Sequence, residues 1–211
     1  VEALGVPHLE VGQVLVNGQV VNVSTRLPDG SEVLVFPLKG ESVPEGAAIF
    51  ILDNHLGRLA AMLRMLGFDS LYRNDYQDDE LAATAAAEQR ILLTRDRRLL
   101  MRKIIPRGYC VRQDDPHEQI RAVLRRYDLY QLVRPFQRCL RCNTPLQPVT
   151  KAEVLDRLEP LTRLYFDEFH LCPACNQVYW KGSHYERMQE LIAELARNNL
   201  PPPSPGKEGP G

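Results

Sequence analysis

Ala48-Ile49-Phe50-Ile51-Leu52-Asp53 decides how this chain folds. An unbroken apolar run without polar alternation marks a strand covered on both faces, as parallel strands are. A second run, Ile91-Leu92-Leu93-Thr94, lies downstream, and Ser70-Leu71-Tyr72-Arg73 and Tyr109-Cys110-Val111 are shorter strand candidates. Between them the period changes. Leu56, Leu59, Ala60, Leu63 and Leu66 recur at helical spacing, and Gly67 ends the pattern. Asp78-Asp79-Glu80 opens an Ala-rich helix to Gln89, with its acids at the positive end of the helix dipole. Arg95–Arg102 reads as helical and Pro116–Tyr127 as an amphipathic helix. Strands alternating with helices predict an α/β fold, a parallel sheet with helices on its faces.

The acids then fall in a meaningful place. Ligands of open α/β sheets bind at the carboxyl ends of the strands. Asp53 directly follows the first apolar run, Asp96 lies just beyond Thr94, and Asp78 and Asp79 begin the helix between those strands. Clustered carboxylates repel, and Mg²⁺ or Mn²⁺ removes the conflict because hard cations take carboxylate oxygen and water. Such ions serve phosphodiester hydrolysis. The plain alternatives are structural: Asp78 as a helix cap and Asp96 as the cap of an Arg97–Arg102 helix. Asp75 and Glu80 are outer candidates; Asp114 and Asp115 follow the third strand and are a source for a fourth carboxylate, but capping of the helix at Pro116 is the favoured expectation for them.

Four cysteines in two tight pairs, Cys139-Leu140-Arg141-Cys142 and Cys172-Pro173-Ala174-Cys175, match the spacing of a four-thiolate zinc site. A closed site of that kind is structural. Two disulfides are the alternative, but nothing else points to an oxidising compartment. The fifth thiol, Cys110, reads as an inert core residue.

The net charge of −1 conceals a gradient. Residues 1–50 hold Arg26 and Lys39 against six acids, whereas residues 90–141 hold fourteen Arg and Lys against Asp96, Asp114, Asp115, Glu118 and Asp128. That surplus suits a polyanion such as RNA. Arg58, Arg95, Arg97 and Arg98 lie beside the acids, and Arg141, Trp180 and Lys181 flank the cysteine pairs, a basic and aromatic mix suited to unpaired bases. Packing of the ribbon is the alternative role for Trp180. No signal peptide and no apolar run of membrane length is present, so no membrane association and a cytoplasmic location are expected. The Pro-rich tail, 199–211, is expected to be disordered.

Upstream, Gln13 to Val21 reads as a hairpin with an Asn17-Gly18 turn, and Leu27-Pro28-Asp29-Gly30 leads into Glu32–Pro37. This order resembles the second half of a ubiquitin-like, sulfur-carrier-like β-grasp unit, here partial. No Gly-Gly stands at a free C-terminus, which argues against sulfur-carrier chemistry. The unit is a possible docking surface for a protein partner. Lys39–Gly46 reads as a linker.

Together, Leu52–Ala60, Leu63–Asp69, Tyr72–Asp75, Asp78–Leu81 and Ile91–Arg97 resemble the Mut-seven C-terminal RNase-domain family, as do both Cys-x-x-Cys pairs and Val178–His184. The resemblance implies a PIN-like nuclease domain followed by a zinc ribbon, and a metal-dependent ribonuclease activity. It carries the family's acidic positions to Asp53, Asp78 and Asp96, with Asp79 alongside. The expected division is 1–46, a truncated β-grasp unit; 47–134, the nuclease domain; 135–198, the four-cysteine zinc ribbon and a C-terminal helix; and 199–211, the tail. The expected function is an endoribonuclease using a carboxylate-bound Mg/Mn site, with structural Zn and single-stranded or structured RNA as substrate. Two rivals are a non-catalytic RNA-binding or ribosome-associated adaptor and a phosphoacceptor module; no suitable Lys after the last strand argues against the latter.

Overall fold

A computed structural model of the chain describes residues 5–197, which begin with an antiparallel sheet. Its strands are β1 (Val11–Val16), β2 (Gln19–Val21) and β3 (Val33–Pro37), in the order β2-β1-β3. Asn17 (φ 48°) and Gly18 (φ 80°) make the tight hairpin between β1 and β2. Two adjacent left-handed residues match the twist of the flanking strands, and Asn-Gly adopts them at least strain. Val14 and Val16 are buried on one face, while Val20, Leu34 and Phe36 stay exposed on the other.

Next comes the sheet foretold by the apolar runs. Its elements are β4 (Ile49–Leu52), α1 (Gly57–Met65), β5 (Asp69–Tyr72), α2 (Asp78–Ala87), β6 (Ile91–Thr94), β7 (Arg107–Cys110) and α3 (Pro116–Arg126). All four strands are parallel, in the order β5-β4-β6-β7. Phe50, Ile51 and Leu52 have no exposed surface, so each contributes about 1.5–3 kcal/mol by burial. Alternate residues serve opposite faces: Ile51, Leu92 and Cys110 pack with Leu81, Ala82 and Ala85 of α2. Phe50 meets Phe68 edge-on at 6.0 Å and Tyr127 at 6.2 Å. The chain leaves β4 toward β5 on one side and returns to β6 on the other. The carboxyl ends of β4 and β6 therefore frame a topological switch point, where such sheets bind ligands.

Three local expectations change. Residues 95–102 do not form a helix; Leu99–Met101 is a short 3-10 turn. Asp96 Oδ1 captures the Arg98 amide at 2.7 Å, and Leu99 and Leu100 are pulled into the core, so the backbone turns rather than winds. The Lys39–Gly46 linker is fastened to α3: the Glu41 amide donates to the Arg126 carbonyl and the Arg126 guanidinium donates to the Lys39 carbonyl, both within 2.9 Å. The third core strand ends at Cys110 rather than including Val111. Burial pushes the Cys110 thiol up, as an inert core thiol requires.

One residue ties the first sheet to the second. Glu10 is buried, accepts the Cys110 amide at 3.1 Å and ion-pairs with Arg112. Cys110 lies on the edge strand β7, where an unfilled amide would otherwise be a pairing site for another chain.

By compactness the chain divides into two units: Val1–Gln147 with Cys172–Gln177, and Pro148–Leu171 with the segment from Val178. Both cysteine pairs thus belong to the first unit, whereas the sequence suggested a boundary near residue 134. The second unit begins within β8 (Gln147–Val149) and holds α4 (Lys151–Val154), α5 (Pro160–Tyr165), β9 (Phe169–Leu171), β10 (Val178–Trp180) and α6 (Ser183–Arg197), with strand order β10-β9-β8. Val154, Leu158, Phe169 and Val178 form its core. The expected disordered tail, 199–211, lies outside the described residues. Among those residues no helix is long and apolar enough to cross a membrane.

Candidate functional site

Asp53 stands at the carboxyl end of the central strand β4 with 6% of its surface exposed. Its position follows from the ladder, because its amide continues the β4–β6 pairing by donating to the Leu93 carbonyl at 3.1 Å. The carboxylate is held by fixed donors. Oδ1 accepts the His55 amide at 2.9 Å; Oδ2 accepts the Thr94 hydroxyl at 2.5 Å and the Arg95 amide at 2.7 Å. The same Thr94 hydroxyl accepts the Asp96 amide at 2.9 Å. The Asp53 carboxylate and the Asp96 main-chain amide therefore meet on the hydroxyl of one fully buried threonine.

Thr94 belongs to the expected strand, but no sequence signal assigned it a role. Its contribution is positional. Replacing it with Val keeps the shape and removes the hydroxyl. If Asp53 and Asp96 serve catalysis, Thr94→Val is expected to lower activity by about 10–100-fold, the usual loss when an outer hydrogen-bond partner is removed. Steady-state RNA cleavage by the folded variant checks this.

Asp78 and Asp79 lie in the first turn of α2, but neither is its cap. Gln77 is the N-cap and makes a reciprocal capping box with Glu80. Both aspartates instead face Arg102, which ion-pairs with Asp79 and approaches Asp78 Oδ2 at 3.9 Å. These groups, with Asn54, Tyr76 and Gln77, line a cavity of about 340 Å³. The outer acids are otherwise engaged: Asp75 is held bidentately by Arg73 at 2.9 and 3.0 Å and Glu80 accepts the Gln77 amide, while Asp114 pairs with Arg95 rather than capping α3. Asp115 caps α3 by accepting the His117 and Glu118 amides, as foreseen.

The rim fits a hard divalent cation in kind, since its donors are carboxylates, and Arg102 offsets part of the charge of two of them. The acids are not drawn together, however. Among the described residues only the four cysteines bring three or more ligand atoms within 4.8 Å of one another. Arg58, Arg95, Arg97 and Arg98 are all exposed around this rim.

The expected RNA-contacting residues that flank the cysteine pairs have structural partners. Trp180 packs against the Val154–Phe169 core rather than standing free, and Lys181 Nζ donates to Glu168 at 2.6 Å. Arg141 is exposed and reaches Gln177 Oε1 at 3.5 Å.

The cysteine pairs meet. Cys139 Sγ lies 3.5 Å from Cys175 Sγ and Cys142 Sγ lies 3.4 Å from Cys172 Sγ. A zinc tetrahedron with 2.3 Å bonds needs sulfurs about 3.8 Å apart, so the cluster could hold a metal such as zinc with little adjustment. Each pair sits on the same turn. The Asn143 amide donates to the Cys139 carbonyl and the Asn176 amide to the Cys172 carbonyl, each at 2.9 Å. Asn143 (φ 69°) and Asn176 (φ 57°) are left-handed, a conformation asparagine tolerates well.

Buried polar side chains fix the first knuckle to the sheet. Arg64, on α1, donates to the Ser70 carbonyl at 2.9 Å and to the knuckle carbonyls of Leu140 and Arg141 at 3.1 and 2.9 Å. Asn143 Oδ1 accepts the Ser70 amide at 2.9 Å, and its Nδ2 donates to Asp69 Oδ1 at 2.8 Å. Burial works to raise the Asp69 carboxyl, but hydrogen bonds from Arg90 and Asn143, with the charges of Arg90 and Arg138, hold it below the ordinary aspartate range.

The Mut7-C RNAse domain matches residues 48–192 and Mut7-C ubiquitin matches residues 1–43. No curated protein and no solved structure matches. A parallel sheet carrying Asp53 at its switch point, with a four-cysteine cluster built onto it, is what residues 48–192 contribute, and the chain belongs to the Mut7-C RNAse domain family with an N-terminal ubiquitin-like part.

Proposed function

We propose that this protein is a metal-dependent endoribonuclease. Family membership supports a nuclease-like function, and one observation supports the finer reading: Asp53, a buried carboxylate at the β4–β6 switch point, is held by Thr94, whose hydroxyl also accepts the main-chain amide of Asp96. Asp53 and Asp96, joined by Asp78 or Asp79, would hold Mg²⁺ or Mn²⁺. When bound, such ions supply charge neutralisation at the phosphodiester and activation of the attacking water. The protein's own share is to orient and to bind. Fixed donors aim the Asp53 carboxylate, and Arg58, Arg95, Arg97 and Arg98 offer phosphate contacts on the exposed rim. The four cysteines are read as a structural zinc site.

Incubation of the full chain with mixed cellular RNA, with and without Mn²⁺, tests this reading. Mn²⁺-dependent fragmentation is expected for the wild type and is expected to be lost in Asp96→Asn. Equal cleavage by Asp96→Asn removes that residue from the site.

A second reading has its own support. Arg102 already ion-pairs with Asp79 and lies near Asp78, and no acidic trio is assembled among the described residues. This favours an RNA-binding adaptor with a quiescent acidic rim. RNA retardation without turnover at any Mn²⁺ concentration would establish it. In either case the exposed Val20, Leu34 and Phe36 of the first sheet support a protein-binding role for the ubiquitin-like part.

A further inference from the structure

The cysteine cluster and the Asp53 loop are joined by β5. This strand is four residues long, Asp69–Tyr72. Its first half is gripped by the first knuckle: Asn143, itself 6% exposed, receives the Ser70 amide on Oδ1 and gives its Nδ2 proton to Asp69, and Arg64 spans the Ser70 carbonyl and the knuckle carbonyls. Its last residue grips the other end. Tyr72 Oη donates to the Asn54 carbonyl at 3.1 Å, one residue beyond Asp53. A side chain on Gly57 would come within 2.7 Å of that hydroxyl, so the first turn of α1 closes tightly over it. Along its whole length β5 is paired with β4, Ser70 opposite Phe50 and Tyr72 opposite Leu52.

A strand of this length has no room to absorb a shift at one end without transmitting it. Ser70 is fully buried, and its amide donates to Asn143 Oδ1. If the knuckle loses its turn, the amide loses its acceptor and the start of β5 loses its anchor. We propose that β5 acts as a strut that couples metal occupancy of the four-cysteine cluster to the order of the loop carrying Asp53. Zinc would then do more than hold a ribbon: it would set whether the rim opposite is formed. The inference concerns the shape of that loop and stands independently of whether the loop cleaves RNA.

Amide hydrogen exchange on the full chain tests it, because two amides report the two ends. Ser70 reports the knuckle, and His55, whose amide is held by Asp53 Oδ1, reports the loop. With metal analysis confirming first one zinc per chain and then none after chelation, exchange at both amides is expected to rise at least about tenfold. Tyr72→Phe cuts the far end: His55 is then expected to exchange fast with zinc present and to respond little to its removal, while Ser70 still responds. Unchanged His55 exchange when zinc leaves the wild type overturns the proposal.

Should the zinc-free chain unfold as a whole, Asn143→Gly supplies a milder perturbation with zinc still bound. Glycine tolerates the left-handed backbone at this position, so the turn survives while both side-chain hydrogen bonds vanish. Faster exchange at Ser70 and His55, with Leu92 and Leu93 of β6 unaffected, supports the strut. Equal acceleration throughout β6 overturns it. Coupling is reciprocal, so Asn143→Gly is also expected to bind zinc more weakly, by roughly tenfold, although the side chain touches no sulfur; unchanged zinc affinity counts against the proposal.

Discussion

Asp53→Asn is expected to reduce Mn²⁺-dependent RNA cleavage by about 10²–10³-fold, the scale lost when one pre-organised group that stabilises the transition state is removed. The geometry explains why so conservative a change should be so damaging. Three donors converge on the Asp53 carboxylate: the His55 amide on one oxygen, and the Thr94 hydroxyl and Arg95 amide on the other. A carboxylate accepts all three. A carboxamide must turn its NH₂ toward at least one of them, setting donor against donor. The variant thus loses the charge that would hold a cation and the fixed orientation of the remaining oxygen. The structural cost is about 1–3 kcal/mol, that of one buried group left without a partner. Circular dichroism and thermal melting should therefore find a folded but less stable protein. Cleavage by that folded variant at the wild-type rate would remove Asp53 from the catalytic site.

Arg64→Ala is expected to destabilise the chain by about 3 kcal/mol, since hydrogen bonds to a charged group are worth about 1.5–3 kcal/mol and buried carbonyls are left unpaired. Only 4% of Arg64 is exposed, and its guanidinium serves three carbonyls: Ser70 at the start of β5 and Leu140 and Arg141 in the first knuckle. Truncation leaves those acceptors in a region too enclosed for water to replace every bond, and it opens a cavity beside α1. Arg64→Lys should recover little, since an ammonium on a flexible stem cannot reproduce the planar fork. For a chain of this size the loss corresponds to a melting shift on the order of 10 °C, read by calorimetry or urea denaturation. A shift within a degree of wild type would mean that the knuckle is held to the sheet by other contacts.

Much of this fold was legible because it is encoded locally. Ile49–Leu52 and Ile91–Thr94 are strands because unbroken apolar runs have few other stable uses. Asn17-Gly18 announced its hairpin, and the two Cys-x-x-Cys turns announced their cluster. The failure at residues 95–102 was also local: three arginines at near-helical spacing resemble a solvated helix face, but an aspartate that binds the second amide beyond it and a buried Leu99-Leu100 pair turn the backbone away. What the sequence could not disclose were partnerships across long separations. Thr94 is an ordinary strand residue until the β4–β6 register brings Asp53 beside it. Arg102 is one basic residue among many until the chain carries it to the start of α2. Nothing in the sequence singles out Arg64, which proves to be among the buried residues of α1. Neither spacing nor composition marks such residues, because the partners that define them lie elsewhere in the chain.

Glu10 carries a last implication. Residues 1–43 and 48–192 answer to separate family descriptions, yet the outermost strand of the parallel sheet ends its ladder on a carboxylate supplied by the first of them. Evolution drew its seam between the modules, while the hydrogen bonding runs straight across it. Excising the small front module would therefore bare an adhesive flank on the larger one, making the shortened protein prone to self-association rather than simply smaller.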